Sequence, residues 1–200
     1  MLMLALGGAY PTDASANTRA MVTVRTYNYA RLGVARLSDA RATTDAIFRN
    51  ADISLQWIDC RVPHSDGSSC TDPLRAGRDL MLRLMDRPQN PAGAARVLAL
   101  GTSMLDREQG TGALMTIDLF SLRAIAEGTP TDFPTLLGRA IAHEIGHLLL
   151  GSSEHPRQGL MRALWLHDEL RGTRPAHWRF SPREAAQMRH GLTRKAAAAN

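Results

Sequence analysis

Val22 to Tyr29 (VTVRTYNY) alternates apolar and polar positions and is rich in β-branched and aromatic residues, which predicts a strand. Ser38 to Ala51 places Ala42, Ala46 and Ile47 on one helical face, with Ser38 positioned to cap the start. Ile53 to Ile58 (ISLQWI) predicts a second strand. Strand, helix and strand in that order imply a right-handed crossover and a parallel pair. Leu80 to Met85 and Arg96 to Leu100 predict further strands, separated by Pro88, Pro91 and Gly93. Gly110 to Asp118 predicts a strand after a glycine-rich turn, with Gly112 to Ile117 expected to form the edge of a cleft. Asp118 to Glu127 reads as a short helix or an irregular segment.

Phe133 to Leu150 (FPTLLGRAIAHEIGHLLL) predicts a long helix. Thr131 or Asp132 can cap it, Pro134 is tolerated in the first turn, and Gly151 suits its end. Leu137, Ile141, Ile145 and Leu148 share one face, while Leu136, Ala140 and Leu150 lie on the other. A helix apolar nearly all round is a buried helix, so the two histidines and the glutamate on it require an explanation. Ser181-Pro182-Arg183-Glu184 is a capping box that opens a last helix running to about His190. The alanine-rich tail from Lys195 to Asn200 is expected to fray.

The chain has 200 residues, 44% of them hydrophobic and 22% charged, which suits one domain with a core of ordinary size. No internal repeat or linker divides it. A single domain is expected over residues 20–195, with an upper lobe at about 20–151 and a lower lobe at about 152–195. No apolar stretch is long enough for a membrane-spanning helix. The net charge of +5 comes almost wholly from arginines spread along the chain, Lys195 being the only lysine. Such scatter does not form the coherent basic patch that nucleic-acid binding requires.

Residues 1–16 combine an apolar run (MLMLALGGA) with an Ala-Ser-Ala triplet, like a secretory signal lacking its positively charged start. Cys60 and Cys70 flank a Gly/Ser-rich stretch and would pair in an exported protein. Both features point to a secreted or periplasmic location.

His143-Glu144-Ile145-Gly146-His147 matches H-E-x-x-H. Positions i and i+4 lie one helical turn apart on the same face, so both imidazoles can reach one cation. Zinc accepts imidazole nitrogen at about 2.0–2.1 Å and usually takes three protein ligands in a hydrolase. Glu144, rotated about 100° from His143, can stand beside the metal and take a proton from the attacking water. The third ligand must come from elsewhere. Gly151 allows a sharp turn after which His155 can return to the metal. Glu169, 22 residues after His147 and next to His167 and Asp168, is the competing donor. Glu154 lies within the turn itself.

Over His143 to Met161 the chain resembles the metzincin clan of metalloendopeptidases, matrixin-like members included. In that clan the helix carrying H-E-x-x-H is followed by a glycine turn, a third histidine and a methionine-containing turn beneath the metal. The matching residues are His143, Glu144, His147, Gly151, His155 and Met161. The spacing here has one extra residue before the glycine and one after it. The resemblance implies an α/β (α+β) zincin fold: a twisted mixed sheet, a backing helix, an active-site helix and a small C-terminal helical subdomain. It also implies Zn2+ as cofactor, a protein or peptide substrate and Glu144 as general base. A gluzincin-type arrangement with Glu169 as third ligand, or a zinc-binding protein without hydrolytic activity, remains the alternative. Trp165 and Trp178 are candidates to line the lower cleft, though ordinary packing is the favoured reading of each.

Overall fold

The structure is a computed structural model that describes residues 19–60, 70–86, 100–106, 108–109, 111–165, 167–171 and 174–197. Five strands form one sheet: β1 (Ala20–Asn28), β2 (Ile53–Cys60), β3 (Asp79–Met85), β4 (Gly101–Asp106) and β5 (Thr111–Asp118). Among the described residues five α-helices accompany them, α1 (Val34–Arg49), α2 (Leu119–Glu127), α3 (Phe133–Leu150), α4 (His167–Arg171) and α5 (Pro182–Ala197), with a short 3-10 helix at Pro175–Trp178. The strand order is β2-β1-β3-β5-β4. The β1–β2, β1–β3 and β3–β5 pairs are parallel, and β4 runs antiparallel to β5. The fold is therefore the mixed α/β arrangement expected, with β1-α1-β2 as the parallel crossover unit. No helix among the described residues is long and apolar enough to cross a membrane.

The core lies between the sheet and the paired helices α1 and α3. Val22, Val24, Leu80, Leu82, Leu84, Met115 and Ile117 supply its sheet side. Phe48 of α1 and Leu137, Ile141 and Ile145 of α3 supply its helical side. Each such side chain, taken wholly from water, contributes roughly 1.5–3 kcal/mol to folding. Thr44 joins the two helices through a buried hydrogen bond from its Oγ1 to the Gly138 carbonyl at 3.0 Å.

Elsewhere in the sheet, Arg25 and Asp79 are buried polar residues. The Arg25 guanidinium contacts Asp79 Oδ2 at 3.3 Å and donates to the Asp72 carbonyl at 2.5 Å. Arg75 adds a second guanidinium, 2.8 Å from Asp79 Oδ1. Cys60 and Cys70 are joined by a disulfide.

Three expectations are corrected. Helix α1 starts at Val34 with Gly33 as its N-cap, so Ser38 lies inside the helix. The additional turn brings Leu37 into the core at 6% exposure. Strand β5, with Gly112 to Ile117, is interior to the sheet, because the chain doubles back through Asp106 and lays β4 along its outer side. The edge is thus β4. Residues 96–99 of the strand expected over Arg96 to Leu100 lie outside the described residues, and Leu100 itself precedes β4 without strand conformation. Helix α5 continues beyond His190 to Ala197, since Leu192 is buried and alanine favours the helix. The signal-like residues 1–16 lie outside the described residues.

Candidate metal centre

Helix α3 has the limits expected from sequence, and its ends show why. The Asp132 carboxylate accepts from the Thr135 amide at 2.9 Å, satisfying a donor that the first turn leaves open. At the other end Gly151 adopts the left-handed conformation, φ 64°, and its amide bonds the His147 carbonyl at 2.9 Å. A Cβ disfavours that backbone shape, which glycine takes readily. The chain therefore turns back across the end of the helix instead of continuing along its axis.

That return assembles three imidazoles. His147 Nε2 lies 3.0 Å from His143 Nε2 and 3.2 Å from His155 Nε2. Helix α3 ends at Leu150, and Ser152 to Glu154 carry the chain back to His155 without regular secondary structure. The variant spacing thus still delivers the third histidine. Of the His, Cys, Asp and Glu donors among the described residues, these three form the one cluster able to hold a metal ion.

Two of the rings are oriented by main-chain oxygen. His143 Nδ1 donates to the Leu160 carbonyl at 3.0 Å, and His147 Nδ1 donates to the Ser152 carbonyl at 2.7 Å. A carbonyl can only accept, so the proton resides on Nδ1 and the Nε2 lone pair points away. Two such lone pairs face each other across 3.0 Å, an arrangement that a shared cation resolves. Imidazole nitrogens about 2.0–2.1 Å from a tetrahedral zinc would stand about 3.3 Å apart. The donor set therefore fits zinc, and the carbonyls provide the outer support that metal-ligating histidines ordinarily have.

The electrostatics agree with neutral ligands. Burial is the main cause that pushes His143 down to about 4, with lesser contributions from His147, His155 and Arg162. Burial also lowers His147 and His155. A metal requires the unprotonated imidazole, so the rings are ready to bind without first losing a proton.

Glu144 is 6% exposed. Burial raises its carboxyl to about 7, although the hydrogen bond from Ser103 pulls the other way. A carboxyl titrating near neutrality can both accept and return a proton at ordinary pH. Glu144 and the three histidines line one cavity of about 480 Å³ together with Gly101, Ser103, Leu105, Leu164 and Trp165.

Met161 is fully buried. A Cβ on Gly146 would lie 2.5 Å from its sulfur, so the bare glycine allows Met161 to press against helix α3. Trp165 stands edge-on to His143, with ring centroids 5.9 Å apart. Trp178 packs in turn against Trp165 and is buried. Of the two tryptophans, only Trp165 lines this cavity.

Glu169 is engaged elsewhere. Its Oε2 accepts from Arg162 Nε at 3.0 Å, and the same guanidinium donates to the Gly159 and His177 carbonyls at 2.6 and 2.8 Å. Arg162 thus braces the turn whose Leu160 carbonyl orients His143. The roles of Ser103, Ser152, Leu160 and Arg162 were not anticipated from sequence. Two of them act through main-chain oxygen, which any residue type supplies.

No protein-family profile and no curated protein sequence matches this chain. Solved structures do match in shape. The archaemetzincin of Methanopyrus kandleri aligns with a TM-score of 0.54 at 12% identity, over 87% of this chain and 97% of its own. A zinc-dependent peptidase from Methanocorpusculum labreanum aligns with a TM-score of 0.53 at 14% identity, over 82% and 99%. Metalloproteinase-II from Bacteroides fragilis aligns with a TM-score of 0.51 at 15% identity, over 92% of this chain but 56% of that one. The chain therefore has the fold of an archaemetzincin and of a zinc-dependent peptidase.

Proposed function

We propose that this chain is a zinc-dependent metalloendopeptidase of the metzincin type, acting on protein or peptide substrates. The observation that carries the reading is the convergence of His143, His147 and His155 through Nε2 in the cavity that Glu144 also lines. In it, the three histidines are the ligands, Glu144 is the catalytic residue and Met161 forms the methionine turn beneath them. The gluzincin alternative loses support because the Glu169 carboxylate is paired with Arg162. A purely structural zinc site has no use for a buried carboxyl beside the ligands, which weighs against an inactive binding protein.

Zinc held by the three histidines would supply a Lewis acid that polarises the scissile carbonyl and makes water a usable nucleophile near neutral pH. Glu144 takes the proton of the attacking water at its carboxylate and passes it to the leaving amine. Edge strand β4, lining the cavity through Gly101, Thr102, Ser103 and Leu105, is the rail for an extended peptide, in place of β5. Leu100, Leu105, Leu164 and Trp165 give the cavity its apolar wall. The Cys60–Cys70 disulfide supports a secreted or periplasmic location.

The test is direct. Purified protein is expected to hold about one zinc per chain, as three-ligand catalytic sites do, and to cleave an unstructured protein such as casein. A chelator should abolish cleavage and added zinc should restore it. Stoichiometric zinc with no cleavage of any unfolded protein would remove the peptidase assignment.

A further inference from the structure

Strand β4 lies against both oxygens of the Glu144 carboxylate but bonds only one of them. Ser103 Oγ lies 2.5 Å from Glu144 Oε2 and 2.9 Å from the Glu144 main-chain carbonyl. At Gly101, two residues earlier on the same strand face, an added Cβ would stand 2.7 Å from Oε1 and 2.7 Å from Cγ. The strand thus offers a hydroxyl to one oxygen and the space of a missing side chain to the other. Glycine and serine at these positions look like loop residues in the sequence, yet both face the helix that carries the histidines.

We propose that Ser103 is the positioning residue of Glu144, with Gly101 supplying the room, so that β4 sets the place of the proton-transferring carboxylate. This rests on the peptidase reading. The hydroxyl has one proton and two acceptors within reach, and it rotates about a single bond. When Glu144 is charged, Ser103 donates to Oε2. When Glu144 carries the proton, Oε2 donates to Ser103 Oγ, and the hydroxyl proton turns to the Glu144 main-chain carbonyl. One hydrogen bond therefore holds the carboxyl in the same place before and after it accepts the proton. A residue with only donors or only acceptors cannot do this. The same strand that seats the peptide also seats the base, so a shift of β4 would move both together.

The test compares Ser103→Ala, Ser103→Thr and Gly101→Ala with wild type, reading zinc content, kcat and KM separately. Ser103→Ala is expected to keep its zinc and its KM while kcat falls about tenfold, the pattern of a lost transition-state contribution. Ser103→Thr, which retains the hydroxyl, should recover most of kcat. Gly101→Ala should lower kcat further by pushing the carboxylate aside. An active wild type whose kcat is unmoved by Ser103→Ala overturns the proposal and leaves the peptidase reading intact. A zinc-loaded wild type that cleaves nothing overturns that reading and the catalytic role of Ser103 with it. The contact is tested apart from turnover by the thermal midpoints of Ser103→Ala, Glu144→Ala and the double variant. Losses smaller in the double variant than the sum of the singles support the contact, and additive losses overturn it.

Discussion

His143 and His147 bring their Nε2 atoms within 3.0 Å, while each gives its Nδ1 proton to a main-chain carbonyl, that of Leu160 and of Ser152 respectively. The two imidazoles are thereby held by the turns that follow the helix as well as by the helix. His155 arrives through one of those turns, so its own removal takes away a donor without disturbing the other two. His155→Ala is expected to lose zinc on dialysis against a weak chelator under conditions in which wild type keeps it. Glu169→Ala is expected to keep the metal and instead to lose about 2–3 kcal/mol of stability, because it leaves the buried Arg162 without its carboxylate. Metal analysis and urea unfolding of both variants separate the outcomes. Loss of zinc from Glu169→Ala with retention in His155→Ala would reverse the ligand assignment.

Glu144 touches no histidine ring among the hydrogen bonds of the site, and its carboxylate is bound by Ser103 instead. Replacement by Gln keeps the shape and removes the ability to accept the water proton. Glu144→Gln is therefore expected to retain stoichiometric zinc while kcat drops about 100- to 10,000-fold, the range for loss of a general base. Near-normal turnover in a zinc-loaded Glu144→Gln would show that another group moves the proton.

Where the sequence was informative, the deciding interactions were local. Asp132, Pro134 and Gly151 mark the ends of α3 within a few residues of the contacts they make, and the spacing of His143 and His147 is a property of one helix. His155 was accessible because Gly151 announces a turn. The Gly112 to Ile117 edge was misplaced because strand order depends on where the chain lays β4, a tertiary choice. Strand β4 itself escaped because its inward positions, Gly101 and Ser103, are small and its outward Met104 is exposed, so no buried apolar alternation appears. The carbonyls of Leu160 and Ser152 were invisible for a different reason: main-chain oxygen leaves no trace in residue type.

Asp79 makes the stability depend on acid. Burial alone would raise its carboxyl, but the hydrogen bonds from Arg75 and the charges of Arg75 and Arg25 outweigh that and hold it below the ordinary carboxylate value. A carboxyl lowered in the folded state contributes stability that is complete above its unfolded value and is lost as pH falls through its folded one. In that acid window the unfolded chain binds the additional proton, so stability rises with pH. Urea unfolding at pH 7 and pH 3 should therefore show a loss in wild type that is smaller in Asp79→Asn. At pH 7 the variant should be weaker by about 3 kcal/mol, since Arg25 is left buried without its partner. An unchanged acid dependence in Asp79→Asn would assign the effect to other carboxylates.

The Cys60–Cys70 bridge closes a short loop, its cysteines being 10 residues apart in sequence. It joins the end of β2 to the segment whose Asp72 carbonyl receives the Arg25 guanidinium. Neither cysteine lines the cavity that holds the histidines. The bridge should therefore act on the unfolded chain and on this side of the sheet, not on the metal centre. Chain-entropy reasoning for a loop of this length gives about 2–3 kcal/mol. Replacing both cysteines by serine is expected to lower unfolding stability by that amount while zinc content and kcat stay at wild-type values. Reduction of the wild-type protein should reproduce the same shift in a denaturation curve, and the serine variant should not respond to the reductant. Loss of zinc in the serine variant would show instead that the loop supports the metal centre through the sheet.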